Sequence, residues 1–163
     1  HCLKIHILFK YMDTQNVEQI LTLFSNKNKS QTDCDNTKRL ALEIIDNQRA
    51  ILNIDINDIK DLVQQCEEIN VFDVRVNARE ENRMEQLMKQ IKKNGKSISS
   101  YTYALVYFFF PERNPLLMEE LQPFSEWMES VPDEFMIKWG MATQSTQELR
   151  AIVLLQSDQR AVL

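Results

Sequence analysis

Residues 101–110 (YTYALVYFFF) constrain this chain more than any other stretch. Aromatic and β-branched side chains fit a pleated strand. A strand that is apolar on both sides must be covered on both faces, so it belongs in the middle of a sheet. That reading demands elements on either side of it. Upstream, residues 69–78 (INVFDVRVNA) alternate, with Phe72, Val74, Val76 and Ala78 on one face, the mark of a strand. Residues 79–93 carry a Met84, Leu87, Met88, Ile91 stripe at helical spacing. Lys89, Lys92, Lys93 and Lys96 gather near the C-terminal end of this helix, where they complement its dipole and read as a solvated face. Downstream, Asn114-Pro115 reads as a cap followed by proline at the first helical position. The helix it would open carries Leu117, Leu121, Phe124 and Met128, with a kink or restart expected at Pro123. Residues 134–142 and 148–156 read as strands joined through TQSTQ in an antiparallel hairpin.

The order strand, helix, strand, helix, strand, strand implies two βαβ units with right-handed crossovers. The expected fold class is therefore α+β: a four-stranded mixed, mostly parallel sheet with the two helices, 79–93 and 115–130, on one face. Val74, Val76, Leu105, Ile137 and Val153 are its expected core. Before this unit, residues 3–9 have strand character, and Val17, Ile20, Leu21 and Phe24 mark a helix over 15–25. Residues 26–36 (NKNKSQTDCDN) are polar without periodicity and read as a linker. Thr37 to about Asn47 reads as a helix with Leu40, Ile44 and Ile45 on one face and Asn36 as its cap. Ile59, Leu62, Val63 and Cys66 mark a short helix from near Asp58. The expected division is an N-terminal extension over 1–35 and a main domain over 36–163.

Composition narrows the chemistry. The chain has 163 residues but only two glycines, Gly95 and Gly140. Average usage of about 7% would give roughly eleven. Phosphate-cradling loops need clustered glycines so that backbone can approach the phosphate closely. No cofactor is therefore expected to bind this chain directly. A net charge of −5 argues against nucleic-acid binding by bulk charge. No run of 18 apolar residues predicts a membrane span, and no basic start with an apolar stretch predicts a secretory leader. Cys2, Cys34 and Cys66 are neither a disulfide framework nor a zinc pattern, and they suit a reducing cytoplasm. His1 and His6, the two histidines, suggest no metal site.

Four short stretches, taken in order, resemble the C-terminal domain of FtsZ, the bacterial tubulin homologue. Residues 51–63 (ILNIDINDIKDLV) are similar to the family's catalytic loop and following helix, with Asn53, Asp55 and Asp58 meeting its N-x-D-x-x-D pattern. Ala78-Arg79-Glu80-Glu81-Asn82-Arg83 resembles the A-S-G-E-N-R helix start. Ile137-Lys138-Trp139-Gly140 and Glu148-Leu149-Arg150-Ala151-Ile152-Val153 resemble the closing strands. The resemblance runs from about residue 44 to 156. The family's nucleotide domain with its GGGTGTG loop is absent. Asp73-Val74-Arg75-Val76 stands where the family carries a glycine-rich strand, and Phe108-Phe109-Phe110 is bulkier than its counterpart. The terminal SDQRAVL does not resemble the tail by which FtsZ reaches membrane tethers.

The resemblance implies a role in a cytoplasmic filament or cell-division assembly. In that family a GTPase site is shared: one subunit binds GTP, and the next inserts its acidic loop against the γ-phosphate. Asp55 and Asp58 would orient and partly deprotonate the attacking water, and Asn53 would help position it. GTP would be met only through an FtsZ-type or self-related partner subunit, a homo-oligomer included. The residues also admit a simpler role, since Asp55, Asn57 or Asp58 suits the cap of the helix behind them. The alternative function is a fragment of a full FtsZ-like GTPase. A start at His1 rather than Met favours that alternative, whereas Met12 offers an internal start.

Overall fold

A computed structural model describes residues 31–45, 50–52, 68–95 and 101–157. In chain order the elements are α1 (Gln31–Ile45), β1 (Ala50–Leu52), β2 (Glu68–Asn77), α2 (Arg83–Asn94), β3 (Tyr103–Pro111), α3 (Gln122–Ser130), β4 (Met136–Gln144) and β5 (Glu148–Ser157). The strand and helix expected within 3–25, and the helix expected from Asp58, lie outside the described residues.

The strands form one sheet in the order β1-β4-β3-β5-β2. β3 is central, as its sequence demands, and Ala104 through Pro111 are all buried. Its side chains split by parity between two apolar layers. Ala104, Val106, Phe108 and Phe110 join Val74, Val76, Leu149, Ala151, Val153 and Leu155 under α2 and α3. Leu105, Tyr107 and Phe109 join Ile69, Ala142, Ile152 and Leu154 under Leu40, Ala41 and Ile44 of α1. The α2 stripe of Met84, Leu87, Met88 and Ile91 is buried in the first layer with Phe124 and Trp127 of α3, so both helices share a face as expected. Phe124 ties that layer together. Its ring meets Phe108 edge-on at 5.0 Å, stacks on Trp127 at 5.9 Å and meets Trp139 at 5.6 Å. Of the expected core, Val74, Val76, Leu105 and Val153 are buried, while Ile137 is half-buried.

Strand direction follows the expectation, but the pairing does not. β2, β3 and β4 run one way and β5 the other. β5 does not form a hairpin with β4, however. It lies between β3 and β2, antiparallel to both, and only β3–β4 is a parallel ladder. The connection 145–147 therefore crosses the end of β3. The physical reason lies in β5 itself: Leu149 through Gln156 are all buried, a pattern suited to an interior strand. β4 has exposed Met136 and Lys138 and suits a place nearer the rim. A fifth strand, β1, adds to β4 in antiparallel fashion and was not expected.

Three helix starts also differ from expectation. α2 begins at Arg83 and not at 79, after turns over 78–82. α1 begins at Gln31, so 31–36 is helix and not linker; Asn36 lies inside it, its side chain accepting from Arg39 at 2.8 Å. Pro115 opens no helix. The chain stays irregular to Leu117, makes a 3₁₀ turn over Met118–Leu121 and restarts as α3 with Pro123 in its first turn. That restart is where proline's missing N–H costs nothing.

Candidate functional site

Asn53, Asp55 and Asp58 lie outside the described residues, but the strand that leads into them is described. β1 ends at Leu52, one residue before Asn53. Ala50 pairs with Ala142 and Leu52 with Met141, with a register irregularity between them. β1 is thus anchored on β4 and forms one rim of the sheet. It runs toward the end where β3 and β4 begin, because it is antiparallel to β4. That end carries exposed Asp133, Glu134 and Met136. The Met136 N–H donates to the Thr102 carbonyl at 3.0 Å and so fixes the strand start.

Two charged constellations frame the rest of the molecule. At the opposite end of the sheet, Arg83 opens α2 behind Asn82, which holds the left-handed backbone (φ 56°, ψ 33°) that asparagine tolerates best among non-glycine residues. The Arg83 guanidinium is almost fully buried and every arm is used. Nε and Nη2 donate to the two Glu120 carboxylate oxygens at 2.7 and 2.8 Å. Nη1 donates to the carbonyls of Ala78 and Asn114, and Nη2 also to that of Pro115. Glu120 in turn accepts the Leu117 N–H at 2.8 Å, and the Asn114 amide donates to the Ala78 carbonyl. One arginine thus pins the 111–121 loop to the start of α2. Its hydrogen bonds hold the Glu120 carboxyl below its ordinary range, outweighing an opposing effect of burial.

On the α1 face, Arg150 of β5 is 2% exposed. Nε and Nη2 grip Asp73 of β2 at 2.8 and 2.9 Å, Nη1 meets Glu43 of α1, and the guanidinium lies 5.3 Å from the Phe109 ring centre. Arg75 bridges Asp73 and Glu148 at the surface. Burial pushes the Asp73 carboxyl up, but hydrogen bonds from Arg150 and then Arg75 outweigh it and leave the carboxyl lowered. This cluster joins α1, β2 and β5; it has no open coordination or nucleophile. Among the described residues no group of His, Cys, Asp or Glu is arranged to hold a metal ion. No described helix is long and apolar enough to cross a membrane.

Neither constellation was among the sequence-derived site residues. Half of a signal for the second was present: Arg150 is a charge inside the otherwise apolar run Leu149–Leu155 and so needs a partner, but Asp73 reads as the polar face of an alternating strand. Arg83 ends the stretch 78–83 that resembles the family's helix start, but its clasp could not be read, because three of its acceptors are backbone carbonyls.

No protein-family model matches the sequence, and no curated protein matches it. Solved structures do match the fold. An FtsZ dimer from M. jannaschii aligns with a TM-score of 0.60 and 16% identity, over 82% of this chain and 41% of that one. TubZ of Bacillus thuringiensis serovar israelensis aligns in its GDP-form protofilaments with a TM-score of 0.59 and 13% identity, over 81% of this chain and 38% of that one. The same protein's GTPγS-form protofilament aligns with a TM-score of 0.57 and 13% identity, over 91% and 41%. The chain has an FtsZ/TubZ-like fold. It spans about two-fifths of the length of those structures.

Proposed function

We propose that this chain is a protein-interaction module of a filament or cell-division assembly, offering an acidic loop to the nucleotide face of a neighbouring FtsZ-type subunit. The observation that carries the reading is the meeting of fold and motif. The sheet resembles that of proteins solved as a dimer and as protofilaments, and β1 leads directly into Asn53, Asp55 and Asp58. In this reading the two carboxylates act in trans on a water beside a partner's γ-phosphate. In the same reading the loop-bearing face docks on a neighbouring subunit and so alters filament growth. The test is to add this protein substoichiometrically to GTP-loaded filaments of an FtsZ-type protein and measure filament length. Altered filament length with this chain bound to the filaments supports the reading. Unchanged filaments that exclude it in co-sedimentation contradict it.

A second reading rests on a separate observation. The chain covers only about two-fifths of its structural neighbours, as expected if it is one part of a longer GTPase with its own nucleotide domain. The length of the natural gene separates the two.

A further inference from the structure

β2 closes the sheet at the rim opposite β1, and its outer edge is paired to no strand among the described residues. At ten residues it is long for an edge. Its ladder with β5 is unbroken from Glu68 to Asn77. It contains none of the prolines or bulges that usually blunt such an edge.

The polarity of that edge can be read residue by residue. The Ala78 N–H donates to the Gln147 carbonyl at 2.9 Å, continuing the β2–β5 register. Even-numbered residues of β2 therefore bond to β5, and odd-numbered ones direct their N–H and C=O outward. The Gln90 amide agrees, since it reaches the Arg75 carbonyl from outside the ladder at 3.0 Å. The outward residues include Val71, Asp73, Arg75 and Asn77, the Asn77 carbonyl also accepting the Glu80 N–H at 3.1 Å, and the two charges among them are opposite in sign.

We propose that β2 is the contact strand of a symmetric dimer of this chain. Two copies pair edge to edge and antiparallel about a two-fold axis at Val74, so that Asp73 of each faces Arg75 of the other. Parity selects this family of registers, because both strands must present odd residues to each other. Charge then selects within it. An axis at Asp73 sets aspartate against aspartate, and one at Arg75 sets arginine against arginine. The axis at Val74 gives two opposite-charge pairs and places Val71 across from Asn77. The Arg75 side chain is 45% exposed, and its surface bridges to Asp73 and Glu148 of its own chain are what it exchanges or shares across the axis. Gln90 need not leave, because a carbonyl has two lone pairs. A two-fold contact of this kind closes on itself and makes a ten-stranded sheet from two five-stranded ones. It is argued from β2, β5 and α2 alone, so its test is separate from that of the function proposed above.

Sedimentation velocity of the full chain, without nucleotide or partner, from about 1 to about 300 μM tests this directly. The expected result is a monomer–dimer equilibrium. Arg75→Glu turns both charge pairs repulsive and weakens it at least about tenfold. Val71→Pro removes an outward N–H without touching the β5 ladder and also weakens the dimer. Circular dichroism identifies either variant that fails to fold, and the other then decides. Amide exchange gives a second readout: the N–H groups of residues 71, 73, 75 and 77 gain protection as concentration rises. A chain that stays monomeric throughout, or a dimer indifferent to the folded variants, overturns the proposal.

Discussion

Arg83 and Arg150 are each almost fully buried, and each is matched by carboxylates or carbonyls in place of water. Removing one side of such a set leaves the other unpaired. Arg83→Met should destabilise by about 3 kcal/mol in urea unfolding, and should free the 111–121 loop to exchange its amides faster. The carboxyls of Asp73 and Glu120, held low by their arginine partners, should make the fold lose stability in acid. Their folded-state values lie below their unfolded ones. Their contribution is therefore complete above the ordinary carboxylate range, about pH 4, and is lost as pH falls through the lowered values. Stability should be nearly flat from about pH 7 to about pH 5 and fall below that range. The Arg83→Met variant should show a shallower acid loss, since its Glu120 is no longer held down by hydrogen bonds from the guanidinium. Tyr107 carries the opposite error. Its hydroxyl is buried with no hydrogen-bond partner among the described residues, and burial pushes its pKa up. Tyr107→Phe should raise stability by about 1 kcal/mol in the same unfolding assay.

At the scale of elements, the central strand, the α2 stripe and the restart at Pro123 were legible because each depends on local periodicity or on one residue's backbone limits. The placement of β5 was not. TQSTQ allows a hairpin, and nothing local says that another strand should intervene. The clue was the doubly apolar run Ala151–Leu155, which needs a neighbour on each side, just as residues 101–110 do. β1 is only three residues long and has no period to read. The start of α1 was hidden because 31–36 is polar; its apolar face begins at Leu40. The element most dependent on a single side chain is α3, docked by Phe124 among Phe108, Trp127 and Trp139. Phe124→Ala should cost about 3–5 kcal/mol. Because both tryptophans touch this ring, their native-state fluorescence should shift even where the fold persists.

For the whole molecule, the two rims of the sheet carry different consequences. β1 leads into Asn53, Asp55 and Asp58, while the outer edge of β2 is paired to no strand among the described residues. Asn53, Asp55 and Asp58 were named from a family resemblance and lie outside the described residues, whereas the contacts that hold the sheet's far end had no sequence signal, since backbone carbonyls leave no trace in a sequence. The central claim is that the acidic loop completes a partner's GTPase site. It is tested most directly by GTP turnover of an FtsZ-type partner mixed with this chain, comparing wild type with Asp55→Ala and Asp58→Ala. Each variant should lose little more than a helix cap in stability, about 1 kcal/mol. The wild-type chain should raise turnover, and each variant should lose on the order of 100-fold of that gain. Turnover that is the same with wild type, with either variant and without the chain would contradict the account.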